Sequence, residues 1–275
     1  MATDTHFSRI LSCPHCGLAL HTHDRGATCD NQHSFDRARE GYFNLIVGGR
    51  LSPSVVAGDT AEALAARRRF LSSGGYSLVA DALRETVLAT LAIADGPILD
   101  VGCGEGYYLS QIKTSEAHGL DVSKKAVQMA SRLLPDATFV VGSAFRLPIL
   151  DSSCAAVFSV FAPHSFHEFA RILKPGARWT TVTPGPHHLQ EMRPIHAGKA
   201  ASKALEREHR RREPPAESDS AERISYSLVL SAESAHDLFT MTPLQWQKNA
   251  ADNIAGLREV SIDMWVSSGS RDNRA

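Results

Sequence analysis

The sequence predicts an α/β fold: a doubly wound, mostly parallel sheet with a small cysteine-rich module in front of it. Three observations carry that expectation. From Pro97 onward, short apolar runs alternate with runs of helical periodicity. One apolar run, "LDVGCGEGYY" (99–108), passes straight into a loop with Gly102, Gly104 and Gly106. And three of the 5 cysteines crowd into "CPHCGLALHTHDRGATCDNQH" (13–33), ahead of everything else.

The cysteine-rich stretch comes first. Cys13 and Cys16 are two residues apart, Cys29 follows after twelve more, and His33 after another three. A C-x2-C pair on a tight turn, here with Pro14 and Gly17, aims two thiolates at one ion. Cys29 and His33 can close the tetrahedron from an opposing hairpin arm. Thiolate and imidazole ligands select zinc over magnesium or calcium. Cys13, Cys16, Cys29 and His33 are therefore the candidate ligands. His15 lies within the first turn, and His21 and His23 fall at the expected tip. Four protein ligands leave no open position, so the zinc reads as structural. It supplies what a segment of about 40 residues cannot bury by itself.

Next comes an expected linker, Gly48 to Thr60. Asp59 or Thr60 caps a predicted helix over 61–75, which Gly74 and Gly75 end. A second helix over 76–92 carries apolar Leu78, Val79, Ala82, Leu83, Val87 and Leu91 at helical spacing. Strands are then predicted at 97–102, 117–123, 137–144, 155–163 and 177–185, and helices at 108–113, 124–134 and 166–173. The last of these helices is expected to stop at Lys174-Pro175-Gly176. A polar, partly basic stretch (187–220) reads as a helix or insertion over the sheet. A strand (223–230), a Ser-capped helix (231–241) and a final strand (257–268) complete the chain. The expected organisation is residues 1–45 as a zinc-binding module, 46–92 as linker and helices, and 93–275 as the sheet domain that carries the glycine loop.

Composition narrows the function. With 29 basic and 30 acidic residues the net charge is -1, unlike a non-specific nucleic-acid coat protein, so any RNA contact must come from local patches. No apolar run approaches the roughly 18 to 20 residues of a membrane helix, and no leader-type apolar region opens the chain. A cytoplasmic protein without membrane partners is expected. The odd, clustered cysteines fit that reducing setting. Cys103 and Cys154 read as packed residues.

The glycine loop carries the chemistry. Asp100 ends the first strand of the sheet, and the glycines after it let backbone approach a ligand closely. Asp121, 21 residues on, can accept from both hydroxyls of a ribose. A dinucleotide fingerprint would require glycine where Tyr107 stands, and Glu105 would repel a pyrophosphate. An acidic loop suits a ligand with an amino group and a sulfonium, namely S-adenosylmethionine (SAM). The run from Asp100 to Gly106, D-x-G-x-G-x-G, resembles the signature of class I, Rossmann-like SAM-dependent methyltransferases. Contacts to the methyl acceptor are expected from "FAPHSF" (161–166), where Phe161 offers a ring for a flat base and reads equally as a core phenylalanine.

The whole set of strings is similar to the bacterial 23S rRNA guanine-N1 methyltransferase family, which includes relatives linked to macrolide resistance. The strings are "CPHCG" with its later Cys and His, "HSFDRAREGYFNL", "GDTAEALAARRRFLSSGGY", "LDVGCGEGYY", "GLDVSKKAV", "FRLP", "FAP", "EFARILKPG", "TPGPHHLQE" and "MTPLQW". The resemblance implies zinc on Cys13, Cys16, Cys29 and His33, and a SAM cradle of Asp100, Gly102, Gly104, Glu105, Gly106 and Asp121. It places Tyr76 and His188 against the cofactor, makes 23S rRNA the partner, and suggests a homodimer with the zinc modules lining an RNA groove. Arg37, Arg39, Arg50, Arg67, Arg68 and Arg69 are candidate phosphate contacts. Guanine N1 carries a proton, and His188, His164 and His167 are the candidates to take it. Ala177, where a second glycine is common, and the 197–216 insertion depart from the pattern. The rival readings are a small-molecule methyltransferase of natural-product tailoring and a non-catalytic zinc-containing RNA-binding protein.

Overall fold

The computed structural model describes residues 9–48, 60–193, 212–246, 254 and 256–271. Most of the predicted linker and of the 197–216 insertion lies outside the described residues. Strands β1 (His21–His23), β2 (Gly26–Thr28) and β3 (Ser34–Asp36) form a small antiparallel sheet in that order. The body runs β4 (Phe43–Asn44), α1 (Ala61–Ser72), α2 (Ser77–Leu91), β5 (Ile98–Val101), α3 (Tyr107–Ser110), β6 (Ala117–Asp121), α4 (Lys124–Leu133) and β7 (Thr138–Val141). It continues with β8 (Cys154–Val160), α5 (Phe166–Ile172), β9 (Leu173–Pro184), β10 (Ser220–Val229), α6 (Ala232–Thr240) and β11 (Glu259–Ser270).

Among the described residues the large sheet has 8 strands in the order β10-β11-β9-β8-β5-β6-β7-β4. The strands from β4 to β9 are parallel, and β11 and β10 are added antiparallel. The chain winds outward from β5 through β6 to β7, then crosses back to lay β8 on the other side of β5. That reversal opens a crevice beyond the carboxyl ends of β5 and β8. Side-chain caps start the helices, Thr60 and Ser231 as expected and Ser123 and Ser165 besides: each accepts a backbone N–H of the first turn.

The apolar core falls into two clusters. One is built on Val79, Leu83 and Val87 of α2, Val127 and Ala130 of α4 and Leu238 of α6, against Ile98, Phe158, Val182 and Ile262 of the sheet. The other joins Phe169 and Ile172 of α5 to Leu99, Val101, Leu120 and Val140, and it also contains Ile10, Leu11, Leu20, Ala27, Cys13 and Cys29. The cysteine-rich module thus covers sheet surface that a doubly wound fold gives to helices.

Three expectations need correction. The module is not joined by the linker alone: Phe43 and Asn44 pair in parallel with Val140 and Val141 as the eighth strand of the sheet. A two-residue strand is too short for a period-2 pattern to reveal. Lys174, Pro175 and Gly176 do not end a helix; α5 stops at Ile172, and these residues lie within β9, whose Leu173 pairs with Cys154 across a register shift. Leu78 does not belong to the buried face of α2, which is Val79, Ala80, Leu83, Val87 and Thr90.

A salt-bridged knot secures the module. Residues 10–12 run alongside the loop after β7: Leu150 N donates to Ile10 O (2.8 Å) and Ser12 N to Pro148 O (2.9 Å). Arg171 holds that loop by donating to the carbonyls of Leu147 (2.9 Å) and Ile149 (2.7 Å), and it also binds Asp151 and Glu168. Glu168 Oε2 accepts from Leu147 N at 2.7 Å. Burial raises the Glu168 pKa, but the Arg171 and Leu147 hydrogen bonds outweigh it and hold the carboxyl below its ordinary value.

Arg171→Met leaves a largely buried carboxylate without its partner, and is expected to cost about 3–5 kcal/mol in urea unfolding. Because the native carboxyl titrates low, its contribution is complete above the ordinary glutamate pKa of about 4.3 and is lost as pH falls through the lower native value. The variant should lose that part of the acid sensitivity.

Candidate cofactor site and metal cluster

Two turns build the metal cluster. In the first, Gly17 N donates to Cys13 O (2.8 Å) and Cys13 N to Leu18 O (2.7 Å), with Gly17 at φ 77°. The second follows β2, where Gln32 N donates to Cys29 O (2.8 Å) and Cys29 N to His33 O (3.1 Å). The ligand atoms of Cys13, Cys16, Cys29 and His33 all lie within 4.8 Å of one another, and none of the cysteines is in a disulfide. His33 Nδ1 is 3.5 Å from the sulfurs of both Cys13 and Cys29, and the Cys16 and Cys29 sulfurs are 3.7 Å apart. Metal bonds of about 2.0–2.3 Å at tetrahedral angles put ligand atoms roughly 3.3–3.8 Å apart, so the donor set fits zinc. His21 turns instead to Asp30, at 3.2 Å.

At the carboxyl end of β5 the backbone makes three left-handed turns in succession, with Gly102, Gly104 and Gly106 at φ 79°, 54° and 88°. A side chain at 102 would collide with the Ala162 methyl, and one at 106 would press on Ala130 at 3.2 Å. Asp121 braces the loop from the end of β6. Its Oδ2 accepts from Gly104 N (2.9 Å) and its Oδ1 from Ser123 N (2.7 Å). Asp100 is buried, and its Oδ2 has no hydrogen-bond partner. Burial, with the Asp121 charge adding to it, pushes the Asp100 carboxyl well above the usual carboxylate range. A buried acceptor in that condition calls for a cation or donor from a ligand. The buried Tyr108 hydroxyl likewise has no partner. These groups, on a loop that brings backbone close, fit the ammonium and polar edge of SAM.

Tyr76 and His188 meet each other, their Oη and Nε2 3.4 Å apart. The peptide N–H of Asp263 faces His188 Nδ1 at 3.4 Å, which makes Nδ1 the acceptor and leaves the proton on Nε2. Burial, then the nearby Arg212 and Arg193, hold the His188 pKa at about 3, so the imidazole is neutral near pH 7. The loop bearing it is clamped. Asp263 accepts from His187 N (2.7 Å) and takes the Arg223 guanidinium in a fork, while Arg193 and Arg212 both donate to His188 O.

Phe161, at the end of β8, completes this corner. The residue is 42% exposed, so it is no core phenylalanine. It lies parallel to His188 (5.8 Å between centroids, 16°) and 6.0 Å from Tyr76. Its backbone is left-handed, φ 54°, a conformation that costs a non-glycine residue free energy.

The other two candidate histidines are elsewhere. His164 stacks on Phe169 and meets Phe166 edge-on, within the second apolar cluster, and His167 is exposed beside Glu168. The arginines divide too. Arg67 approaches the glycine loop, its Nη1 3.5 Å from where a Gly104 Cβ would stand. Arg69 is committed to the buried Asp237, tying α1 to α6. Arg37 donates to Gly41 O and covers the Phe43 ring. Arg39 and Arg68 are exposed, and Arg50 lies outside the described residues. Sequence reasoning missed the place of Arg67 and the clamp on the His188 loop. Their only signal is charge within segments that fold on to the sheet edge.

Replacing Phe161 by Gly relieves the left-handed strain, so Phe161→Gly should be about 1 kcal/mol more stable than Phe161→Ala in equilibrium unfolding. Equal stabilities would mean that the turn stores no strain.

Comparison with known proteins matches two family models: "Methyltransferase domain" over residues 98–177 and "RlmA, N-terminal", a zinc ribbon, over residues 11–47. A 23S rRNA (guanine(748)-N(1))-methyltransferase of Streptomyces fradiae is 33% identical over 93% of this chain and 95% of its own length. A protein of Micromonospora griseorubida, provisionally named for guanine-N1 methylation of 23S rRNA, is 38% identical over 66% of this chain and 68% of its own. Among solved structures, the YcgJ protein of Bacillus subtilis is 16% identical, covers 67% of this chain and 96% of its own, and has a TM-score of 0.41. The chain is a SAM-dependent methyltransferase with an N-terminal zinc ribbon, and it belongs to the 23S rRNA guanine-N1-methyltransferase family.

Proposed function

We propose that this enzyme methylates N1 of a guanine in a hairpin loop of 23S rRNA. The observation that carries the reading is the joint presence of the brace from Asp121 to the glycine loop and the Cys13–Cys16–Cys29–His33 cluster in a chain of which 93% is matched by a relative named for that activity. A small-molecule methyltransferase has no evident use for the ribbon.

SAM supplies an already activated methyl group. The chain's part is to hold it, orient the acceptor and keep the site dry. In this reading Asp100 takes the cofactor's ammonium, restoring a partner to its buried oxygen. Asp121 keeps the loop in shape through Gly104 N and presents its remaining lone pairs to the ribose. Gly102, Gly106 and Glu105 complete the cradle, and Tyr76 and His188 wall it. A neutral His188 adds no charge beside the sulfonium. With Nδ1 facing the Asp263 N–H and Nε2–H facing Tyr76, it is poorly placed to take the guanine proton, and water is the acceptor we assign.

The target base must be unpaired or flipped to expose N1, which costs least in a loop. Residues 1–45 would grip the RNA as the zinc module, 46–92 would connect, and 93–275 would carry catalysis. The family resemblance suggests a homodimer, and the sequence's lack of long apolar runs fits a cytoplasmic setting. Among the described residues no helix is long and apolar enough to cross a membrane.

Incubation with labelled SAM tests the reading: protein-free 23S rRNA should take up label and give one primer-extension stop at a guanine. Label appearing only in a small-molecule extract would refute it. Asp100→Asn should weaken SAM binding about 10- to 100-fold by calorimetry, the loss of a charged hydrogen bond. Zinc analysis should find one ion per chain. Because Cys13 and Cys29 sit in the sheet's second apolar cluster, its chelation should lower the melting temperature of the whole protein rather than unfold the ribbon alone.

A further inference from the structure

Phe161 is an exposed aromatic ring at the mouth of the crevice, and its backbone is strained to put it there. The strain is maintained from both sides. Phe161 N donates to Val182 O of β9 at 3.0 Å, and the next residue, Ala162, is wedged over Gly102 of the cofactor loop. The ring therefore stands at a fixed place beside that loop. Behind it lies His188, buried and near-parallel, its own loop held by Asp263, Arg193 and Arg212. Tyr76 closes the side. A rigid ring backed by a rigid ring, with the front face open, suits a flat heteroaromatic partner.

From this geometry we propose that Phe161 is the stacking platform for the target base, with His188 as the fixed backing that sets the plane of the ring. This rests on the rRNA reading above and adds the residue that receives the extruded nucleotide. An unstacked base in RNA finds its substitute stack on an aromatic side chain. Stacking tolerates any base, so Phe161 sets the plane and depth at which the base lies, and the recognition of guanine falls to other groups. The seam between Ala162 and Gly102 makes that depth a property of the cofactor loop itself, so the acceptor plane and the methyl donor share one reference point.

The test compares wild type with Phe161→Ala, Phe161→Leu, Phe161→Tyr and Phe161→Trp, using labelled SAM and a 23S rRNA transcript as substrate. Affinity for S-adenosylhomocysteine is measured by calorimetry on the same preparations, and thermal melting identifies any variant that does not fold. Alanine and leucine should each lower kcat/KM for RNA by about 5- to 150-fold, the value of one base–aromatic stack. Tyrosine and tryptophan should stay within about threefold, and cofactor affinity within about twofold throughout. Leucine retaining wild-type kcat/KM would overturn the platform, because it keeps the bulk and lacks the π face. Cofactor affinity falling in step with turnover would overturn it as well, by making Phe161 a wall of the cofactor pocket. A folded wild type that labels no RNA refutes the rRNA reading, and the platform with it.

Discussion

The rest of the structure depends on one shared apolar core. Ile10, Leu11, Leu20, Cys13 and Cys29 of the ribbon pack with Leu99, Val101, Leu120 and Val140 of the sheet, on surface that would otherwise face water. A zinc ribbon has little apolar interior of its own, and a sheet with one bare apolar face leaves that face in water. Here each supplies the other's missing layer. The strand pairing at Phe43 and Asn44 and the arginine-held loop at 147–151 then fix how they fit.

The same sheet orders the chemistry. β5 and β6 deliver Asp100 and Asp121 to one end, and the crossing to β8 opens the crevice beside them. The glycine loop bends through three left-handed positions and is held by a carboxylate from the neighbouring strand. Opposite it, the strand β11 supplies Asp263, which organises the His188 loop through side chain and backbone at once. The machinery is thus assembled from strand ends on a rigid frame. That is what positioning chemistry asks of a protein when the transferred group is already activated.

Much of this was legible in the residues. The ligand spacing of Cys13, Cys16, Cys29 and His33 and the run from Asp100 to Gly106 are local patterns, and local patterns survive in sequence. Alternation of apolar strands and periodic helices marked the sheet because each element buries a regular stripe. What was not legible was long-range. Nothing in "YFN" announces a strand pairing with a segment a hundred residues later. Nothing in "ARRRF" separates Arg67, at the glycine loop, from Arg69, locked on Asp237, although about half a helical turn divides them. Phe161 could be read as core or as site, and only its exposure and positive φ decide.

The eighth strand has a consequence for recognition. A module on a tether searches, and adapts its reach to whatever it finds. A module sewn into the sheet by backbone hydrogen bonds at Phe43 and Asn44 cannot. The span from the Cys13–Cys16–Cys29–His33 cluster to the glycine loop is therefore set by the sheet, and an RNA gripped by the ribbon, as proposed above, would be measured against a gauge rather than caught on a hook. In that reading, discrimination among hairpins would be a matter of length and bend, with the nucleic acid doing the yielding.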